Sequence, residues 1–328
     1  MAPEALERCI LLNDMLFSII IPLYNKAPYV KRALESIINQ SRKGFEVIII
    51  DDGSTDESYS IAKEYLEQSD IRYILFHQDN VGVSATRNKG VSLSHGKYLC
   101  FLDADDWWSP LFLERMELMI RTYPEAGIYG TNYYYVKYGK ERVCVTDSTT
   151  GYINYFQEYV KRLRMPLWTG AVCVPRVVFD EMGGFKTHLS LGEDFDLWVR
   201  IALKYKVAFL NEPCSYYNQD SNPSWRLVSK LHNPDTHMLW NMDYLSDEEN
   251  NNPCYKQLID ALRTYDLFPY YLSHQYHNEA KKELEKVDWN KQPRKIRRLY
   301  KQPLFLLRCR HIIFQFGSKV KQWIIRHL

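Results

Sequence analysis

Several features that would place a protein in a class at once are missing from this chain, and each absence excludes one. Its 328 residues hold seven cysteines, at positions 9, 100, 144, 173, 214, 254 and 309, odd in number, widely spaced and never in a Cys-x-x-Cys. That spacing argues against a disulfide framework or a zinc knuckle and fits a reducing, cytosolic compartment. No run reaches the ~18 consecutive apolar residues of a spanning helix. The opening MAPEALERCILLNDM carries acids where an export signal would carry a basic region and an apolar core. Neither membrane spanning nor export by that route is expected. Met15 directly precedes the first strand pattern, which sets residues 1–15 apart as an N-terminal extension. Phosphate loops are absent too: GVSLSHGKY from Gly90 has one residue too many for a P-loop and Tyr98 in place of Ser or Thr. PLYNKAP, after the first strand pattern, lacks the glycines of a dinucleotide fingerprint. There is no repeat of solenoid period and no low-complexity tract.

What remains is ordinary globular material, 46% apolar and 25% charged, although 25 tyrosines is a high count. The length allows one sizeable domain with an appendage, or two small ones. Charge is lopsided. From Trp289 to Leu328 there are eleven Lys or Arg and no Asp or Glu, so an acidic body carries a basic tail. That asymmetry points to an anionic partner.

The first half alternates short apolar runs with helical periodicity, the pattern of βα units around a mostly parallel sheet. FSIIIP (17–22), EVIII (46–50), RYILF (72–76) and KYLCFL (97–102) read as four strands. Between them the spacing predicts a helix with Val30, Leu34, Ile37 and Ile38 on one face and Pro28 in its first turn. A second is opened by a capping box of Ser54 and Glu57, and a third lies around 83–94. From about 125 to 215 the pattern is mixed, with β-rich GIYGTNYYYV and WTGAVCVP, then helix patterns at PRVVFDEMGGF and GEDFDLWVRIAL. Residues 221–290 read as polar, helical and loop-rich. Each of the four strands runs straight into a polar cluster: YN, DDGSTD, HQDN and DADD. Ligands of open α/β sheets bind beyond the carboxyl ends of the strands, so the four clusters converge on one rim.

Asp103 and Asp105 stand two residues apart at a strand end, so both carboxylates reach one point. Hard oxygen ligands of this kind suit Mg2+ or Mn2+, with water and phosphate completing the shell. The alternative is a solvated acidic turn with Asp106 capping the helix after Pro110. In DDGSTD, Ser54 and Asp56 serve the turn and cap, while Asp52, nearer the strand end, can accept a hydrogen bond from a nucleobase imide or a ribose. In NVGVSATRNKG (80–90), Gly82 permits a turn, and Arg87 points back to the rim as a cation for a base carbonyl or phosphate, or is an isolated surface residue. Glu193 and Asp194 follow Gly192 at a helix start, an arrangement that also serves the helix dipole alone.

These pieces, in this order, resemble the family 2 glycosyltransferases, inverting enzymes of the GT-A fold that move a sugar from a nucleotide donor to an acceptor hydroxyl. Five spaced motifs carry the resemblance between Phe17 and Asn218: IIIPLYN, VIIIDDGSTD, NVGVSATRNKG, YLCFLDADD and GGF followed by LGEDFDLWVR. The resemblance implies an α/β fold, a Rossmann-like nucleotide-binding sheet with helices on both faces over residues 16–220, followed by a helical C-terminal region over 221–328. It implies that Pro22, Tyr24 and Asn25 line the nucleotide pocket, that Asp52 contacts the base, and that Asn80 and Arg87 assist there. Asp103 would approach the ribose and the metal, Asp105 would ligate Mn2+ or Mg2+ on the donor pyrophosphate, and Asp194, beside Glu193, would be the general base. Further candidates are Arg226, as a loop cation closing on the pyrophosphate, and Trp168, Trp107 and Trp108, which would stack on sugar rings or sit in the core. A UDP-sugar carrying a hexose or N-acetylhexosamine is the donor expected by resemblance.

Other classes fit less well. An aspartyl-phosphate phosphatase would have Thr or Val where Trp107 stands. A sugar nucleotidyltransferase would want a Gly- and basic-rich loop after its first strand. A non-catalytic nucleotide-sugar-binding protein would have no need of both Asp105 and Asp194.

Residues 303–328 place Phe305, Cys309, Ile312, Phe316, Val320 and Trp323 on one side of a helix, flanked by Arg308, Arg310, Lys319 and Lys321. That stripe suits an anionic membrane surface, and a helix packed on the catalytic domain is the alternative. No nucleic-acid partner is expected, since the body is acidic and no such motif appears. A protein peripheral at the inner face of the membrane would meet a lipid-linked glycan acceptor, as in cell-surface polysaccharide or glycolipid assembly. Deleting residues 290–328 is expected to release the protein from anionic liposomes in a flotation assay, and unchanged flotation would refute membrane contact by the tail.

Overall fold

Four apolar runs form the parallel part of the sheet. They are β1 (Phe17–Leu23), β2 (Phe45–Asp52), β3 (Arg72–Gln78) and β4 (Tyr98–Phe101), ordered β3-β2-β1-β4. In this computed structural model, which describes residues 17–220 and 231–310, every residue of β2 is buried, as a near-continuous apolar run requires of a strand covered on both faces. Helix α1 (Val30–Ile38) and helix α2 (Ser58–Glu67) pack Val30, Ala33, Leu34, Ile37, Ala62 and Leu66 against Ile19, Ile21, Val47 and Ile49. Helix α3 (Val83–Leu93) covers the opposite face, where Gly90 lies so close to Ile20 that a Cβ would stand 2.5 Å from its side chain. Helices on both faces of a nucleotide-binding-type sheet are therefore present, as expected.

The chain divides into two compact units, Met1–Met238 and Leu239–Leu328. In the first, the sheet continues through β5 (Trp107–Trp108), β6 (Ala126–Lys137), β7 (Lys140–Val143), β8 (Gly151–Ile153), β9 (Val172–Pro175) and β10 (Lys206–Asn218). The order runs on as β4-β9-β6-β10-β5. The mostly parallel sheet expected of the first half is seen in β1 to β4, and the stretch that reads as mixed in sequence is mixed in direction. β6 and β10 are parallel, but β9 is antiparallel to both β4 and β6, and β5, β7 and β8 also pair antiparallel. One cause is local: Tyr138 and Gly139, both at positive φ, form a two-residue turn that folds β7 straight back on β6. Helices α4 (Phe112–Thr122), α5 (Tyr155–Arg162), α6 (Arg176–Met182) and α7 (Glu193–Lys204) complete the unit.

Two expected helix starts are corrected. The capping box does not form: α2 begins at Ser58, Glu57 makes no side-chain cap, and Asp56 accepts the Ser58 amide instead. Ser54 is drawn away because its hydroxyl accepts the Asn25 amide of the neighbouring loop at 3.0 Å. Pro28 lies in the turn before α1 rather than in its first helical turn.

The second unit holds α8 (Ser246–Asn251), α9 (Pro253–Asp266), α10 (Phe268–Leu272), α11 (His277–Glu285) and α12 (Arg294–Tyr300). Asn252 caps α9 by accepting the Tyr255 amide, and the buried Arg263 of α9 is paired with Glu249 and Glu283. Residues 304–310 are helical. Of the expected tail stripe they hold Phe305, 64% exposed, and Cys309, also exposed, whereas Leu307 is buried. Arg308, expected to flank that stripe, donates to the carbonyls of Leu272 and Ser273 at the end of α10. Ile312, Phe316, Lys319, Val320, Lys321 and Trp323, like Arg226 and residues 1–15, lie outside the described residues. Among the described residues, no helix is long and apolar enough to cross a membrane.

Residues 236–238 run beside the loop that leads into α7. The Ser190 amide donates to the Thr236 carbonyl at 2.8 Å, the Met238 amide donates to the Leu191 carbonyl at 3.1 Å, and a Cβ on Gly192 would strike Met238. His237 is 2% exposed here, and burial, with His232 nearby, pushes its imidazole down to about 4. An unfolded histidine takes up a proton near pH 6.5, which the folded chain refuses until about pH 4, so stability falls as pH drops through that window. The loss is expected to reach about 3 kcal/mol in denaturant titrations, and His237→Gln is expected to flatten that slope. A variant with the wild-type slope would assign the pH dependence to other groups.

Candidate active site

The rim is built from loops that the strands release side by side. After β1, Asn25 takes a left-handed conformation (φ 51°), and its side-chain carbonyl accepts the Thr55 amide at 2.8 Å. The next amides, of Lys26 and Ala27, donate to the Ser58 hydroxyl and the Asp56 carboxylate. Thus the Tyr24–Ala27 loop is stitched along the loop after β2. Tyr24 projects from this seam, 48% exposed.

Asp52, at the end of β2, reaches the third loop. One oxygen accepts the Val81 amide and the Gln78 side chain, and the other accepts the Gly82 amide, all at 2.9–3.0 Å. Asn80 donates to the Asp52 carbonyl at 2.9 Å. Gly53 is required beside it: φ is +78°, and a Cβ would stand 3.0 Å from the Asn80 nitrogen. Pro22 and Asp52, at the ends of β1 and β2, and Tyr24, Asn25 and Asn80, on the loops that follow the strands, therefore lie along one rim, with Asp52 serving to shape the 78–82 loop.

The three acids after β4 meet three environments. Asp103 is ion-paired to Arg87 at 2.8 Å. Asp105 is ion-paired to Lys26 at 2.5 Å, and its carbonyl accepts from Arg32, whose guanidinium lies 3.6 Å over the Trp107 ring. Trp107 stacks in turn on Tyr216, and Tyr216 on Tyr134. Asp106 turns inward, buried, with one oxygen accepting the Asn218 amide of β10 at 2.7 Å and the other unpartnered. Burial, then Asp105 and Asp103, push its pKa well above the usual carboxylate value. It caps no helix, so the alternative of a solvated capping turn is excluded for this residue.

Opposite stands the start of α7, where Gly192 (φ +81°) turns the chain so that Glu193 and Asp194 face the rim side. One Asp194 oxygen accepts the Thr169 hydroxyl at 2.8 Å and the other its neighbour's amide, that of Phe195, at 2.7 Å. Glu193 pairs with Arg87 at 2.9 Å; burial and then Asp194 raise its pKa against the pull of that guanidinium. Arg87, 3% exposed, is thus no isolated surface residue. Both terminal nitrogens, expected to face a base carbonyl or phosphate, are spent on Asp103 and Glu193. Burial works against its charge, but Asp103 and then Glu193 more than offset that and raise its pKa.

The tryptophans divide. Trp108 is core, stacked on Phe112 and donating to the Gly170 carbonyl. Trp168 is 6% exposed and stacked on Tyr217 beside Thr169, while Trp107 anchors the acidic turn through the column described above. Lys26, Arg32, Asp106 in its buried form, and Thr169 are site residues that motif spacing does not single out. Only Lys26 had a signal, its place directly after the YN pair.

Among the described residues, no group of three or more His, Cys, Asp or Glu is arranged to hold a metal. Asp103 and Asp105 form a two-carboxylate set, with Asp106 buried beside it. Such a set fits Mg2+ or Mn2+ bound together with phosphate oxygens and water, the usual mode for a nucleotide-borne cation.

The fold defined here is that of the GT-A glycosyltransferases: TarS 1–349 of S. aureus, solved in complex with UDP-GlcNAc, superposes with a TM-score of 0.69 at 16% identity, over 86% of this chain and 83% of that one. The model of Glycosyl transferase family 2 matches residues 18–179. An uncharacterized glycosyltransferase of Rickettsia felis is 31% identical over 208 residues, covering 62% of this chain and 33% of that protein. Glycosyltransferase GlyA of Streptococcus pneumoniae is 40% identical over 124 residues, covering 38% and 18%. Over residues 18–179 the chain thus resembles glycosyl transferase family 2, as its motifs imply. It spans a third or less of the length of these two curated relatives.

Proposed function

We propose that the protein is an inverting glycosyltransferase that moves a sugar from a nucleotide-sugar donor to an acceptor hydroxyl. The observation that carries this reading is the opposition, across Arg87, of the Asp103–Asp105 pair on one side and the Glu193–Asp194 helix start on the other. The nucleotide would lie on the seam of Pro22, Tyr24 and Asn25, reaching Asp52 and Asn80. Asp105, with Asp103, would hold Mn2+ or Mg2+ on the pyrophosphate, where such a cation stabilises the charge that grows on a leaving nucleoside diphosphate. Asp194 takes the proton of the attacking hydroxyl, a role worth roughly 10²- to 10⁴-fold. Its bond from Thr169 fixes the carboxylate and leaves lone pairs for the acceptor. Attack from the face opposite the leaving group inverts the anomeric centre.

UDP-sugars are the first donors to test, given the UDP-GlcNAc held by TarS. The basic region 290–328 favours an acceptor at an anionic membrane surface, a lipid-linked glycan in surface polysaccharide or glycolipid assembly. Purified protein incubated with UDP-, GDP- and dTDP-sugars, with and without Mn2+, is expected to release nucleoside diphosphate from one donor only when metal is present. Asp194→Asn is expected to lower that rate about 10²- to 10⁴-fold. No release, together with no metal-dependent donor binding by calorimetry, would end this reading.

A further inference from the structure

We infer that Arg87 is a positioning residue that braces the donor side of the site to the helix carrying the base, and so sets the distance between Asp103 and Asp194. This rests on the transferase reading above and deepens it. Helix α3 sits tightly on β1 through Gly90, a fixed platform on the nucleotide half of the domain. Two consecutive residues reach from it. Arg87 spans Asp103, at 2.8 Å, and Glu193, at 2.9 Å. Asn88 clasps the backbone of Phe185 in both directions, donating to its carbonyl at 2.7 Å and accepting its amide at 3.0 Å. The neighbouring Gly184 (φ +70°) leaves no room for a side chain, since a Cβ would stand 2.8 Å from the Asn88 oxygen.

Glu193 and Asp194 are consecutive at the helix start, so holding one carboxylate constrains the other. A planar guanidinium that bonds two carboxylates at once fixes their separation, which a single ammonium does not. With both terminal nitrogens committed and the group buried, Arg87 acts through Asp103 and Glu193 rather than on the donor.

The test compares wild type with Arg87→Gln, Arg87→Lys, Glu193→Gln and the Arg87→Gln/Glu193→Gln double variant, measuring kcat, donor KM and donor affinity by calorimetry. A displacement of the base by an ångström is expected to lower kcat about 100-fold while donor affinity is kept. The double variant is expected to be no slower than the worse single one, and Arg87→Lys to remain impaired. Should Arg87→Gln not fold, Glu193→Gln carries the test, because there Asp103 keeps its arginine. Weakened donor binding with kcat retained, or losses that multiply in the double variant, would overturn the brace and leave the transferase reading intact. A wild type that turns over no donor would overturn that reading and the brace with it.

Discussion

The site depends on a buried guanidinium shared by two carboxylates. Taking a charge out of water costs several kcal/mol, and the cost is recovered only where geometry and partners are both good. Arg87 meets that condition only if Asp103 and Glu193 are in place, and these belong to segments about ninety residues apart in the chain. The turn after β4 and the start of α7 are thereby held to one another by a helix lying on β1 and β2. A fold whose two halves have opposite sheet character, parallel from β3 to β4 and mixed beyond, is joined at the place where the chemistry is proposed.

Around that junction the loops are shaped by side chains bonding to backbone amides. Asn25, Ser54, Asp56 and Ser58 bind the first two loops together, and Asp52 shapes the third. Each bond is modest alone, about 1 kcal/mol net, but together they replace water on amides that the sheet leaves unpaired at its end. The column of Arg32, Trp107, Tyr216 and Tyr134 gives the acidic turn a rigid back wall. The same parallel pairing of β6 with β10 sets Tyr135 against Tyr217, and Trp168 stacks on Tyr217 beside Thr169. Four of the chain's tyrosines, Tyr134, Tyr135, Tyr216 and Tyr217, thus stiffen the end of the sheet.

Much of this was legible in the residues and some was not, for physical reasons. β1, β2 and β4 announce themselves because a strand buried on both faces must be continuously apolar, and the polar residue ending each run then has to sit at the rim. The helix starts were misread because Ser54 and Glu57 satisfy a local rule that a non-local partner overrides: Asn25 takes the serine. The antiparallel strands of the second half carry no mark of direction in their own composition. Thr169 bonds Asp194 across the fold from a stretch whose pattern is only that of a β-strand. Arg87 was identified as important, yet its orientation depends on Glu193, a hundred residues on, and spacing cannot supply that.

The acidic turn shows how like charges can be crowded without being unstable. Three carboxylates within four residues would repel if all were charged and equally solvated. Here Asp103 faces a guanidinium, Asp105 an ammonium, and Asp106 is withdrawn from water with its pKa raised. The buried acid also has a structural task, since it accepts the Asn218 amide and so ties the end of β10 to the turn. Two carboxylates at the surface and one inside are therefore a single arrangement: the withdrawn Asp106 anchors the backbone that presents the other two. On the transferase reading, a pair of carboxylates so held, each already near a cation, would receive a ligand that brings both positive metal and negative phosphate, the metal taking the place of the Lys26 ammonium beside Asp105. A D-x-D-D turn at a strand end would then do more than keep a loop in solution.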